Sequence, residues 1–153
     1  MFIISFLLII APLTLFIHEL GHSIGALLVR SEKIELFIGV GRRLLRLPLG
    51  RMSIHIHALF MLGGYTASER NPYYSKAEQI IISLFGPLLN GLLGILGALL
   101  LSYSHSRILL IFILFNLWLC IINLIPYRIG TRHSDGYLVL KTITARNSKN
   151  ESI

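Results

Sequence analysis

The opening stretch Phe2–Val29, FIISFLLIIAPLTLFIHELGHSIGALLV, decides the fold. A helix that spans a bilayer needs about 20 mostly apolar residues, and this stretch is longer than that. It carries three ionisable side chains within its apolar length, His18, Glu19 and His22. Because it lacks a basic start and a clear small-residue cleavage site, we expect a retained helix rather than a cleaved secretory signal.

Two more apolar stretches, Ile80–Leu101 and Ile108–Ile125, are long enough to cross a membrane. The first of these is rich in glycine, which lets helices approach closely in lipid, so we expect it to be the central helix. Of the 153 residues, 54% are hydrophobic and 14% are charged, against about 25% charged in a typical soluble domain. The composition therefore excludes a soluble globular, a disordered or a collagen-like chain.

The distribution of basic residues predicts the orientation. Eight of the 14 Lys and Arg residues lie between Arg30 and Gln79, Arg107 alone lies between the second and third stretches, and five follow the third. Cytoplasmic loops of membrane proteins carry the excess of basic residues. We therefore expect the N-terminus outside and the C-terminus in the cytoplasm of a bacterial cell. The net charge of +7 is then explained by the cytoplasmic loops, and we expect no nucleic-acid partner.

The loop between the first two helices, residues 33–62, has the pattern of β-structure. Three short, apolar and partly alternating segments follow one another, Ile34–Ile38, Leu44–Leu47 and Met52–Phe60. Turn signals separate or follow them at Gly39–Gly41, Pro48–Gly50 and Gly63–Gly64. We predict a small membrane-associated β-hairpin or sheet, whose edge strand can pair with an extended peptide.

The motif H-E-x-x-H occupies His18 to His22. Helical positions four apart share a face, so both imidazoles can bind one metal ion. Glu19 lies beside them, placed to take a proton from water at the metal. Ionisable residues inside a transmembrane helix are costly and are functional by default. The alternative is that they only form hydrogen bonds between helices.

A catalytic zinc site needs a third protein ligand. Cys120 is the only cysteine, which excludes a cysteine-based zinc site. Asp135, the only aspartate, follows the third helix, and it reaches the histidine pair if Pro126–Gly136 folds back into the protein. The alternative is that Asp135 and the glycine after it form a surface turn, in which case Glu35 or Glu78 is the candidate ligand.

Four features in order resemble the site-2 protease family of intramembrane zinc metalloproteases. They are the HELGH helix, Leu62–Tyr65, Gly86–Asn90, and Asn123–Pro126 followed by Asp135 and Gly136. The resemblance implies a minimal three-helix catalytic core without a PDZ or CBS domain. It also implies Asp135 as the third zinc ligand and Glu19 as the general base.

Asparagines in the helices have two interpretations. Asn90 and Asn123 can bind the substrate backbone or stabilise an oxyanion, or they can hold helices together. Asn116 we expect only to hold helices together. His55 and His57 share one face of a strand, but two histidines alone are a weak metal site.

The sequence therefore predicts a mainly α-helical membrane protein of one domain, residues 1–153, with transmembrane helices at 2–29, 80–101 and 108–125. The expected activity is that of a Zn²⁺-dependent metalloendopeptidase, which hydrolyses peptide bonds in or near transmembrane segments. Its expected partners are the lipid bilayer and a membrane-protein or peptide substrate. The alternatives are a catalytically silent protein of the same fold that binds a peptide or regulator, and a small metal transporter.

Overall fold

The computed structural model describes residues 2–101, 103 and 106–145. The first helix, α1, consists of Phe2–Ser5, a π-helical segment Phe6–Ile10, and Ala11–Leu28. The elements that follow are β1 (Lys33–Leu49), β2 (Met52–Glu69), α2 (Lys76–Leu101), α3 (Arg107–Leu124), β3 (Arg128–Ile129), β4 (Arg132–His133) and α4 (Asp135–Thr144).

Three helices, α1, α2 and α3, are long and apolar enough to cross a membrane, as the sequence predicts. The largest difference in their bounds is at the start of α2, which begins at Lys76 rather than at residue 80. Ser75 and Glu78 explain the earlier start. The backbone N–H of Ser75 donates to Glu78 Oε2 at 2.8 Å, and the N–H of Glu78 donates to Ser75 Oγ at 3.4 Å. This is a capping box.

Helix α2 is central, because it packs against both α1 and α3, which make few contacts with each other. Small residues allow the close approach in lipid-facing helices. A Cβ added at Gly21 of α1 would collide with the carbonyl group of Phe85 in α2. A Cβ added at Gly94 of α2 would lie 2.6 Å from Cδ2 of Leu117 in α3. The predicted central position of the glycine-rich helix is confirmed.

The predicted β-region, 33–62, is too short, because the second strand continues to Glu69. Strands β1 and β2 pair antiparallel overall, with several register shifts, but one section of the pairing is parallel, because Ile34 pairs with Met52 and Ile38 pairs with Ile56. These shifts let Ile34–Ile38 pair both with Gly64–Ser68 and with Met52–Ile56, while Leu45–Leu49 pairs with Met52–Ile56. Gly63–Gly64 therefore lies within a strand and not in a turn. The two free edges of the sheet are Gly64–Ser68 and Leu45–Leu49.

One face of the sheet packs on α1. Leu36, Ile38 and Ile54 form a buried cluster against Phe16, which lies two residues before the H-E-x-x-H motif, and Leu20, which lies within it. The sheet is therefore fixed to the same turns of α1 that carry the ionisable residues. The segment from Val40 to Arg51 is exposed throughout.

The sequence pattern missed the elements after α3. The chain reverses through the two-residue strands β3 and β4, with Gly130 between them at φ 59°. It then enters α4, where Gly136 packs so closely against the Leu124 carbonyl that a Cβ would not fit. The segment Pro126–Gly136 thus folds back into the protein, as the prediction for Asp135 required.

Candidate metal centre

Two imidazoles of α1 meet at their Nε2 atoms. His18 and His22 lie one turn apart on the same helix face, and their Nε2 atoms are 3.1 Å apart. The rings are nearly perpendicular, with centroids 4.7 Å apart. Both side chains are largely buried. This geometry points one nitrogen of each ring towards a common position.

The carboxylate of Asp135 completes the cluster. One of its oxygens lies 3.1 Å from Nε2 of His18, and the other lies 3.3 Å from Nε2 of His22. Ser134 fixes the start of α4, because its Oγ accepts from the N–H of Tyr137 at 3.1 Å and donates to the Ile125 carbonyl at 2.7 Å. This N-cap holds Asp135 against the end of α3.

Hydrogen bonds on the far side of each ring set the tautomers. The Nδ1 of His22 lies 2.8 Å from the carbonyl oxygen of Ile82, which can only accept, so Nδ1 carries the proton. The Nδ1 of His18 lies 2.8 Å from Oδ1 of Asn90. The amide of Asn90 is oriented by its own donation to the Thr14 carbonyl and to Asn116 Oδ1. In a neutral ring whose Nδ1 carries the proton, Nε2 holds the lone pair, and Nε2 is the atom of both histidines that faces Asp135.

This donor set fits a metal ion. Two imidazole nitrogens and a carboxylate converge, with their ligand atoms within 4.8 Å of one another. Oδ2 of Asp135 is buried and has no assigned hydrogen-bond partner among the described residues, so a cation bound between this oxygen and the two Nε2 atoms would satisfy all three groups. Two histidines and one carboxylate, with a further position open, are typical of catalytic zinc sites. His18, His22 and Asp135 could therefore hold Zn²⁺.

Gly86 makes room for one of the rings. A Cβ at this position would overlap the Cε1 and Nε2 atoms of His22. Because α2 has no side chain here, the ring of His22 can turn its Nδ1 towards Ile82 and its Nε2 towards Asp135. The Gly86–Asn90 segment thus contributes space through its first residue and a hydrogen bond through its last.

Glu19 is held by the sheet rather than by the helices. Thr66 of β2 donates from Oγ1 to Glu19 Oε2 at 2.8 Å, and the same hydroxyl oxygen lies 3.0 Å from the Glu19 carbonyl oxygen. A Cβ added at Gly64 would lie 3.0 Å from Cγ of Glu19. Thr66 was not predicted as a site residue, although it directly follows the Leu62–Tyr65 segment that carried part of the resemblance.

A cavity of about 440 Å³ opens beside the cluster. Its lining includes residues of α1, of the sheet edge, of α3 and of the chain reversal before α4: His18, Glu19, His22, Gly63, Gly64, Tyr65, Thr66, Trp118, Leu119, Asn123, Tyr127, His133 and Asp135. The cavity therefore brings the predicted metal ligands, Glu19 and one free edge of the sheet to a single space.

The two candidate asparagines occupy different positions. Asn123 lines the cavity, and its Nδ2 donates to the Leu119 carbonyl of its own helix at 3.0 Å. Asn90 is fully buried behind His18, away from the cavity lining. Its amide is engaged by His18, Thr14 and Asn116. This geometry favours a positioning role for Asn90 over contact with a substrate.

The remaining candidate ligands lie elsewhere. Among the described residues, the three ligands above form the only group of three or more that could hold a metal ion. Glu78 pairs with Arg70, and Glu35 pairs with Lys33. His55 stacks on Phe37 with centroids 4.6 Å apart, and burial lowers its pKa.

Three apolar helices around a buried histidine–carboxylate cluster are typical of a metallopeptidase of the membrane. Residues 2–106, more than half of the chain, match the model of Peptidase family M50. The chain therefore belongs to Peptidase family M50, the site-2 protease family, and the resemblance is confirmed. The match includes the H-E-x-x-H helix, the sheet and α2, and it ends before α3 and Asp135.

Proposed function

We propose that the chain is a Zn²⁺-dependent endopeptidase that hydrolyses peptide bonds in or near transmembrane segments. The observation that carries the proposal is the convergence of three ligand groups at 3.1–3.3 Å. Both Nδ1 atoms already have acceptors, so only the Nε2 lone pairs are left to face the carboxylate. Family membership supports the same activity.

The residues divide the chemistry between them. His18, His22 and Asp135 would hold Zn²⁺, which supplies Lewis-acid polarisation of the scissile carbonyl and of a water molecule. Glu19 accepts a proton from the attacking water and returns it to the leaving amine. Thr66 donates to Oε2 of Glu19, which orients the carboxylate and leaves Oε1 for the proton.

The sheet edge beside the cavity suits an extended substrate. A transmembrane helix hides its carbonyl groups in its own hydrogen bonds, so the cleaved segment has to unwind. The described structure pairs Gly64–Ser68 with Ile34–Ile38 on one side only, and Gly64 to Thr66 line the cavity. A substrate added as a further strand here would lie across the metal ligands, with Asn123 on the opposite wall.

The membrane arrangement follows from charge. We propose that α1, α2 and α3 cross the bilayer of a bacterial cell, with the N-terminus outside and the C-terminus in the cytoplasm. The basic loop Arg30–Gln79 and the basic C-terminal stretch then share the cytoplasmic side. This side also holds the sheet and α4, so the cluster lies near the cytoplasmic ends of α1 and α3.

The test is cleavage of a single-pass membrane substrate by the purified protein in lipid vesicles. Glu19→Gln should lower the rate by about 10²–10⁴-fold, as expected for loss of a general base, and should retain bound zinc. Glu32→Gln, an exposed change of the same kind, should have no effect. Full activity in Glu19→Gln would contradict the mechanism. Absence of zinc and of cleavage in the wild type would favour a silent peptide-binding protein.

A further inference from the structure

A second cavity, of about 410 Å³, lies next to the one at the metal ligands. The two share four lining residues, Thr66, Ile82, Ser83 and Leu138. They therefore form one groove, bounded by the free edge of β2 on one side and by α2 and α4 on the other. The mechanism proposed above uses only the first cavity and leaves the second without a role.

The two cavities lie one after the other along the free edge of β2. Gly64 and Tyr65 line only the first cavity, Thr66 lines both, and Ser68 lines only the second. A strand advances about 3.3 Å per residue. A peptide added along this edge would therefore place in the second cavity a side chain about two to four residues from the scissile bond.

The second cavity is lined by several side chains with hydroxyl or amide groups and, among the described residues, by one charged side chain. Apart from two aliphatic side chains and one alanine, its lining consists of hydroxyl, phenol and amide groups and one lysine: Thr66, Ser68, Tyr73, Tyr74, Gln79, Ser83, Lys141 and Thr142. The lining contains no carboxylate.

Lys141 is the charged group. It is exposed in the second turn of α4, and no salt bridge joins it to a carboxylate within residues 2–101 and 106–145. The neighbouring cation, Lys76, is engaged, because its Nζ donates to the carbonyl oxygen of Ala145. In the described part of the chain, the ammonium group of this lining residue is therefore not paired with a carboxylate.

We propose that the second cavity is a substrate subsite in which Lys141 selects an acidic side chain. The occupant is an Asp or Glu of the unwound substrate, because the cavity continues along the same strand edge from the metal ligands. Ser68, in the same lining, supplies a further hydroxyl donor for a carboxylate. The inference rests on the proposed function and names the substrate class for the same site.

The experiment uses the full chain in lipid vesicles and a series of single-pass substrates with one Asp, or one Asn, moved stepwise past the cleaved bond. In the wild type, Asp should raise kcat/KM over Asn by at least about tenfold at one position, as for a hydrogen bond between charged groups. Lys141→Glu should abolish that preference and favour Lys at the same position. Arg132→Gln, a charge change on exposed β4 outside both cavity linings, is the matched control.

Binding gives a second measurement that needs no turnover. The Kd of the same substrates for Glu19→Gln, measured by fluorescence anisotropy, should show the same preference and lose it in Glu19→Gln/Lys141→Glu. Substrates that are cut equally well with Asp or Asn at every position would overturn the subsite. A preference that survives Lys141→Glu would overturn it as well. Failure of the wild type to cut any substrate would instead count against the proposed function.

Discussion

Nδ1 of His18 in α1 lies 2.8 Å from Oδ1 of Asn90 in α2, 72 residues further along the chain. The hydrogen bonds continue from Asn90 Nδ2 to Asn116 Oδ1 in α3, at 2.8 Å. All three side chains are buried. These hydrogen bonds thus join the three apolar helices. Because the last of them engages Nδ1 of His18, Nε2 is the ring nitrogen that faces the metal position.

We predict that Asn116→Leu weakens zinc binding without touching a ligand. The change removes one of the two acceptors that orient the amide of Asn90, so Oδ1 of Asn90 is held less firmly against Nδ1 of His18. Loss of such an outer contact typically costs about 10–100-fold in metal affinity, and competition with a chelator measures it. Thr14→Val keeps the bond between Asn90 and Asn116 and should have a much smaller effect. Unchanged zinc affinity in folded Asn116→Leu would contradict the prediction.

Asp135→Asn should reduce zinc affinity by more than the roughly 10–100-fold of an outer contact, because it removes a charged ligand. Zinc content after purification and the Kd for zinc both measure this. Glu35→Gln changes the other candidate carboxylate, which pairs with Lys33 on the sheet, and should leave zinc content at one ion per chain. Full zinc content in Asp135→Asn would show that a different third ligand is used.

Gly86→Ala should disturb the metal position through His22. The added Cβ would overlap the imidazole, so the ring would have to leave its hydrogen bond to Ile82. We expect loss of zinc together with a lower Tm. The matched control is Gly97→Ala on the same helix, whose Cβ would lie 2.7 Å from Cγ1 of Ile113, a side chain that can move. Gly97→Ala should lower Tm while zinc binding is retained, and equal zinc loss in both variants would refute the steric explanation.

Arg70 should be important for stability, because it joins three elements. Its guanidinium donates to the Val29 carbonyl at 2.6 Å and to both oxygens of Glu78 at 2.7 and 2.8 Å. Lysine cannot form the two parallel bonds, so Arg70→Lys should lower the Tm measured in detergent. Lys33→Gln removes the more exposed pair with Glu35 and should leave Tm nearly unchanged. Equal Tm values for the two variants would contradict this.

The sequence pattern predicted what depends on local chemistry. Three apolar stretches gave three helices, and the spacing of His18 and His22 gave a shared helix face. The positions of Thr66 beside Glu19 and of Asn90 behind His18 were not predicted, because both contacts join residues far apart in the chain. The capping box at Ser75 and Glu78 could have been recognised from its spacing. The double pairing of Ile34–Ile38 could not, because strand register depends on the packed face.

The two rims of the sheet are chemically unequal. The rim formed by Leu45–Leu49 contains Pro48, which has no N–H to offer a neighbour, and the charged Arg46. Proline and charge on an edge strand discourage further strands from joining. The rim formed by Gly64–Ser68 has neither. A further strand can therefore be added to the sheet only at Gly64–Ser68, the rim beside Glu19 and the histidine pair. An unwound chain does not pair with the opposite rim.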